Sequence, residues 1–262
     1  MLKIPFFQVD AFSKQLFCGN PAAVCPLKSW LPDKLMQQIA NENNLSETVF
    51  FVPDGEKFNI RWFTPNTEIN LCGHATLATA HVLWNHLGYK KEEISFLSKS
   101  GELVVNKSRD KIILDFPTIA YKSIAASSLH IDIFGDKIYE LYQLSNNGLM
   151  AVLEDELSVK KYVIQKTQML QQKEQIFCIT AKGTDCDFVS RVFAPAMHID
   201  EDPVTGSLHC SLTPYWSQKL NKSKLYAKQL SSRGGELWCE DQQNRVTMVG
   251  NAITFLIGEI VI

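Results

Sequence analysis

The chain has no surplus of charge of either sign: Lys and Arg number 26 against 28 Asp and Glu. The basic field that neutralises a phosphate backbone is therefore missing, and nucleic acid is excluded as an expected partner. No apolar run approaches the ~20 residues that a bilayer-spanning helix needs. The opening Met1-Leu2-Lys3-Ile4-Pro5-Phe6-Phe7-Gln8-Val9-Asp10 meets an acid before a signal-peptide core could form. No membrane association is expected, and the chain reads as soluble and cytoplasmic. Its seven cysteines, at 18, 25, 72, 178, 186, 210 and 239, are odd in number and lack any C-x-x-C pair. Neither a disulfide framework nor a zinc site is signalled, and no metal is expected. Low-complexity stretches are missing too.

What the chain does have is a repeat. Val49-Phe50-Phe51 returns as Ile176-Phe177-Cys178, and Arg61-Trp62-Phe63-Thr64-Pro65 returns as Arg191-Val192-Phe193-Ala194-Pro195. Gly73-His74-Ala75-Thr76 answers to Gly206-Ser207-Leu208-His209, and Gly101-Glu102-Leu103 to Gly235-Glu236-Leu237. The offset grows from 127 through 130 and 133 to 134 residues. That drift fits a duplicated domain with short loop insertions, which surface loops tolerate. A length of 262 residues suffices for two domains with cores of their own. We divide the chain into a first half, 1–117, and a second half, 118–262, with a linker near Ala120 to Ser128 and the last strand, about 252–262, packing back on the first half. Sites in such proteins usually lie in the cleft between domains, so positions where the copies differ become the first candidates for chemistry.

Each half shows short β-branched and aromatic runs and one strongly apolar helix. Phe58-Asn59-Ile60-Arg61-Trp62-Phe63 alternates as a strand does, and Pro65-Asn66 ends it. The pattern predicts helices over Asp33 to Asn43, His74 to Leu87 and Ser207 to Leu220, the second stopped by Gly88. Pro214 lies inside the third, where proline costs ~3 kcal/mol and a kink is expected. Helices apolar on most faces must be buried. The fold class that follows is α+β, two pseudo-symmetric duplicated halves, each a curved, mostly antiparallel sheet wrapped around a central buried helix, with the site in the cleft between them.

Both copies place a glycine at the start of the buried helix, Gly73 and Gly206, the latter followed by Ser207. Free N–H groups and the positive end of the macrodipole make such starts anion sites. A carboxylate suits them better than a phosphate, because a phosphate loop would carry more glycines or a following Lys. The alternative is that these glycines only make tight turns before core helices.

Phe12 with Gly19-Asn20-Pro21-Ala22-Ala23-Val24, Asn44-Leu45-Ser46-Glu47-Thr48, Phe63-Thr64-Pro65, Cys72-Gly73-His74-Ala75-Thr76 and Asp202-Pro203-Val204-Thr205-Gly206-Ser207 resemble the PhzF-like isomerases of phenazine biosynthesis. The likeness runs nearly end to end. Within that family the chain looks closest to the vertebrate phenazine-biosynthesis-like-domain proteins, through Cys72-Gly73-His74-Ala75-Thr76-Leu77-Ala78 and Arg233-Gly234-Gly235-Glu236-Leu237. The resemblance implies a diaminopimelate-epimerase-type fold, no cofactor, and a small carboxylate substrate. It also makes a homodimer plausible.

The related cofactor-independent racemases use two thiols, one per half. Cys72 stands where the first would be, but the matching place in the second half holds Pro203, which argues against a two-thiol racemase. Cys72 is then either a small buried residue before a turn or a reactive thiol. The resemblance places proton transfer on Glu47. A carboxylate that loses hydration in an apolar cleft holds its proton more tightly and can both take and return one. Against this stands the reading of Glu47 as a solvated strand-start residue, like its counterpart Glu174 in Lys173-Glu174-Gln175. His74 and Asp202 join Glu47 as catalytic candidates by the family pattern, the first as hydrogen-bond or proton partner and the second as partner for a ligand amine or for the proton-transfer geometry. Helix capping and chain turning are their bland alternatives. Asn20, Ser46, Gly73, Thr205, Gly206 and Ser207 are the candidate substrate-binding residues. His81, His86 and His209 read as structural. The competing functions are a non-catalytic ligand-binding or interaction protein on the same fold, and a Cys72-dependent epimerase.

Overall fold

The computed structural model describes residues 1–135 and 137–262. Its elements follow in the order β1 Lys3–Ala11, β2 Asn20–Pro26, α1 Asp33–Asn43, β3 Glu47–Asp54, β4 Lys57–Phe63, β5 Glu68–Ile69, α2 Gly73–Asn85, β6 Glu93–Ser98, β7 Gly101–Ser108 and β8 Lys111–Pro117. They continue with β9 Tyr121–Ser123, α3 Ser128–Phe134, β10 Glu140–Leu144, β11 Gly148–Val152, α4 Glu156–Lys161, α5 Lys166–Met169, β12 Ile176–Lys182, β13 Phe188–Ala194 and β14 Ile199–Asp202. The last are α6 Gly206–Leu220, β15 Lys224–Gln229, β16 Gly235–Asp241, β17 Arg245–Gly250 and β18 Ala252–Val261. Two compact units result, one of Met1–Asp115 with Val249–Ile262, the other Phe116–Met248. No helix among the described residues is long and apolar enough to cross a membrane.

In the first unit β18 and β2 both run antiparallel to β1. β3 joins β2 in parallel and β4 is antiparallel to β3. β6 is parallel to β4, and β7 and β8 add antiparallel hairpins. Each parallel step needs a crossover, and helices supply it: α1 between β2 and β3, α2 between β4 and β6. The second unit repeats the scheme, with β11 parallel to β12, β13 antiparallel to β12, and β15 parallel to β13 across α6. The sheet of each unit is thus mixed, antiparallel pairs outnumbering parallel ones.

α2 is buried at nine of its thirteen positions, from His74 through Leu83. It packs on β1, β2, β3 and β18. α1 covers β3 from the other side, with Met36, Ile39 and Ala40 against Phe50 and Val52. The observed α2 ends at Asn85, short of the predicted Leu87. The amides of His86 and Leu87 both reach the Val82 carbonyl, at 2.9 and 3.1 Å, which tightens the last turn. Gly88 follows at φ +71°, where a side chain would be strained, and Tyr89 N then bonds Leu83 O at 3.0 Å.

α6 runs through Pro214 without a break in its assignment. Proline removes the N–H that would bond the Cys210 carbonyl four residues back. That carbonyl accepts instead from the Ile119 amide at 3.1 Å, and Ser211 Oγ donates to Ile119 O at 3.0 Å. The segment after β8 therefore offsets part of the cost of the proline.

The predicted structural histidines are tied into these units. His81 Nε2 and His86 Nε2 both meet Thr254 Oγ1, at 2.9 and 2.7 Å, fastening α2 to β18. His209 is fully buried, with Nδ1 2.9 Å from the Thr205 carbonyl. Burial pushes His81 and His209 down to about 4. An imidazole with a lowered folded value stabilises fully above its unfolded value near 6.5 and loses that contribution as pH falls towards 4. Urea unfolding across that window should show stability falling with acidity, His209 accounting for on the order of 3 kcal/mol by pH 4. His209→Gln should flatten the profile; an unchanged slope would refute the assignment.

Candidate active site

Backbone constraints at the start of β2 deliver the first site residue. Gly19 lies at φ +75°, and a Cβ there would stand 2.2 Å from the Ala11 carbonyl oxygen. Only glycine makes the turn that leads into Asn20. Buried Phe12 also occupies the left-handed region, at φ 60°. Its ring is accommodated because Gly250 lacks a Cβ, which would stand 2.5 Å from Phe12 Cδ1. Strained backbone of this kind clusters at functional sites.

Glu47 opens β3 in parallel register with Ala22 of β2. Strand alternation puts Thr48, Phe50 and Val52 on the α1 face, where Asn43 Nδ2 donates to Thr48 Oγ1 at 3.0 Å. Glu47, Val49 and Phe51 then face the α2 side. Cys72 precedes α2 and His74 lies in its first turn. Glu47 is only 6 % exposed and His74 4 %. The expectation of a solvated strand-start glutamate fails here, and it fails for buried Glu174 as well.

His74 Nε2 lies 2.9 Å from Glu47 Oε2. The contact is a buried ion pair. On the other side of the ring, Asn20 Nδ2 and Cys72 Sγ approach Nδ1 at 3.2 and 3.4 Å. Burial opposes a charge on His74, but Cys72 and Glu47 outweigh it and hold the imidazole well above its ordinary range. Burial, then the Glu47 carboxylate, push the Cys72 thiol up, against His74 and the Ala75 amide. Cys72 and His74 are coupled, since charge on either favours charge on the other, and the Glu47 carboxylate favours the imidazolium.

The second unit gathers the other candidates at the start of α6. Asp202 accepts from Thr205 Oγ1 just before the helix. Gly206 is buried, Asp202 and Thr205 are half-buried, and Ser207 is exposed. Sequence reasoning missed Gln229, fully buried at the end of β15. Its Oε1 accepts from Thr205 N at 2.8 Å, while its Nε2 donates to Asp202 O at 2.7 Å and approaches Thr205 Oγ1 at 3.2 Å. Ser231 Oγ donates to Pro203 O at 2.8 Å. The turn is thereby fixed by side chains, while the first amides of α6 carry no intrahelical bond. In the first unit Gly73 is half-buried at the same place of α2, and Ser46 is half-buried beside Glu47. Nothing in the sequence marks Gln229, a lone amide at a strand end.

Fold and sequence likeness together define the class, an isomerase on a duplicated α+β fold. The family model for phenazine biosynthesis-like proteins matches residues 9–258. An uncharacterized isomerase of Pseudomonas aeruginosa is 46 % identical, over 99 % of both chains. The mouse phenazine biosynthesis-like domain-containing protein 1 is 38 % identical, over 98 % of this chain and 99 % of its own. Among solved structures, a PhzF-family protein of Enterococcus faecalis superposes with a TM-score of 0.96 at 45 % identity, covering both chains fully. A hydroxyproline epimerase of Agrobacterium vitis, solved with bound trans-4-hydroxy-L-proline, shares the fold at a TM-score of 0.64 and 10 % identity, over 98 % of this chain and 92 % of its own. The chain belongs to the PhzF family of phenazine biosynthesis-like isomerases. Its greater identity to the bacterial isomerase, 46 % against 38 % for the mouse protein, corrects the expected closeness to the vertebrate branch.

The charge state of His74 is testable by NMR. The His74 ring should titrate well above the ordinary imidazole midpoint near 6.5, and Glu47→Gln should lower its midpoint. Its stabilising contribution is complete below pH 6.5 and lost as pH rises through the raised folded value. A midpoint that ignores Glu47→Gln would show that the carboxylate is not its partner.

Proposed function

We propose that the protein is a cofactor-independent isomerase that moves a proton on a small carboxylic acid, of the kind that also bears an amino group, through one carboxylate acting as both base and acid. The single observation that carries this reading is the buried Glu47–His74 pair, whose facing atoms lie 2.9 Å apart. It sets a carboxylate with further lone pairs beside an imidazolium in a water-poor setting, where a third partner can be engaged.

In this reading Glu47 removes a proton from carbon and returns it to another carbon or another face. The His74 imidazolium stabilises the negative charge that develops on the substrate, as preorganised cations do in low dielectric. The Asn20 side-chain amide lies against Nδ1 at 3.2 Å, and towards an imidazolium it presents its oxygen as acceptor. In the first unit the α2 amide at Gly73 takes up substrate carboxylate, with Ser46 as a further hydrogen-bond group; in the second unit the α6 amides at Gly206 and Ser207, with Thr205, are donors of the same kind. Asp202 pairs with a substrate amine. The Agrobacterium neighbour, bound to an amino acid, supports this substrate class by its fold alone. A Cys72-dependent mechanism is disfavoured by the thiol's raised value, because the thiolate is the active form.

The test is deuterium incorporation from heavy water into small amino and cyclic carboxylic acids. Exchange should occur with the wild type, fall by about 10²-fold or more in Glu47→Gln, and survive in Cys72→Ala. Exchange lost in Cys72→Ala but kept in Glu47→Gln would overturn the assignment in favour of the thiol.

A further inference from the structure

Threonine at the N-cap of a helix ordinarily turns its hydroxyl to accept from the second or third amide of that helix. Thr205 caps α6 in an extended conformation, at φ −109° and ψ 92°, yet its side chain makes no such bond. The hydroxyl donates instead to Asp202 Oδ2, on the segment before the helix. Leu208, at the third helical position, has no polar group to reach back to the Thr205 amide as a capping-box residue would. Both halves of the usual cap are therefore missing.

Gln229 supplies what is missing from a strand 24 residues further along the chain. Its Oε1 accepts from Thr205 N at 2.8 Å, the bond that a capping-box glutamine makes from within the helix. Its Nε2 donates to Asp202 O at 2.7 Å and lies 3.2 Å from Thr205 Oγ1. A backbone N–H only donates and a carbonyl only accepts, so the amide has one orientation. The Thr205 proton is committed to Asp202, and its oxygen is then the acceptor for Nε2. Donors thus run in one direction, from Gln229 through Thr205 to the Asp202 carboxylate. Gln229 is fully buried, where water does not compete for these bonds.

We propose that Gln229 is a positioning residue: it holds the Thr205 hydroxyl off α6, and so keeps the first amides of that helix open to a substrate carboxylate and Asp202 set for a substrate amine. The clamp stands on this geometry alone; its effect on substrate rests on the function proposed above.

Amide hydrogen exchange, followed by NMR on the full-length protein, tests the clamp without a substrate. In the wild type the Thr205 amide should exchange slowly and those of Ser207 and Leu208 fast. In Gln229→Ala the hydroxyl is released to cap its own helix. Thr205 should then exchange about tenfold faster or more, while Ser207 or Leu208 slows. A mere loosening of the turn would speed up all three. The slowing should vanish in the Gln229→Ala, Thr205→Val double variant, whose valine cannot cap. Gln229→Met, which fills the space without either polar end, should repeat the pattern and serves if Gln229→Ala does not fold. A Thr205 amide unprotected in the wild type, or Ser207 and Leu208 amides that slow in neither variant, would overturn the clamp. On an acid that the wild type turns over, Gln229→Ala should raise KM about tenfold and change kcat less, and a loss confined to kcat would overturn the role in binding. A wild type that turns over nothing counts against the proposed function, and amide exchange still decides the clamp.

Discussion

A helix with no polar face has to be enclosed, and the chemistry of the first unit follows from enclosing α2. Ala75, Leu77, Ala78 and Ala80 make the helix apolar on successive faces, and β1, β2, β3 and β18 pack around it. Enclosure carries the start of the helix inward as well. Cys72 and His74 are thereby taken out of water whether or not their own polarity favours it. A buried imidazolium needs a counter-charge. Glu47 provides it from the strand that passes beside the helix, and the same burial that makes the pair costly makes its electrostatics strong.

Duplication shows which features belong to the scaffold and which to the site. Arg61 grips Glu68 with Nε and a terminal nitrogen at 2.8 Å each, and Arg191 grips Glu201 in the same two-pronged way at 2.6 and 3.0 Å. Both guanidiniums also lie 5.2 Å from a ring, Phe63 and Phe193. At the buried helices, Thr76 Oγ1 meets the Cys72 carbonyl at 2.6 Å, and His209 Nδ1 meets the Thr205 carbonyl at 2.9 Å, one turn back in each case. These pairs preserve a mechanical role with or without the same residue. The first turn behaves differently. His74 is buried against Glu47, whereas its counterpart Ser207 is exposed. Glu174 is buried like Glu47, yet its ion pair is with the exposed side chain of Lys173 at 4.0 Å. The copies therefore share their fastening and differ in their charges.

The fold was largely legible because strands and enclosed helices impose periodic apolar patterns, and a repeat shows each pattern twice. α1 occupies the predicted residues, and the first strand of the Arg61 motif forms β4. Less legible was anything set by non-local contact. The proline in α6 looked like a defect until Ile119, 95 residues earlier in the chain, took the freed carbonyl. Gln229 lies 24 residues beyond the Thr205 amide it accepts from, and no local pattern announces that. The proximity of Glu47 to Cys72 and His74 depends on how β3 and α2 pack, which residue spacing alone does not encode. Glu174 looked solvated because its neighbours in sequence are Lys173 and Gln175, but burial is decided by neighbours in space.

The assignment of roles within the cluster turns on its proton inventory. Three titratable groups share one buried volume, and electrostatics there favours a state with little net charge. A protonated thiol, an imidazolium and a carboxylate meet that condition. In that state Glu47 is the only one of the three that can accept a proton from carbon without first losing one. His74 in turn cannot act as a base while it remains the cation that Glu47 holds in place.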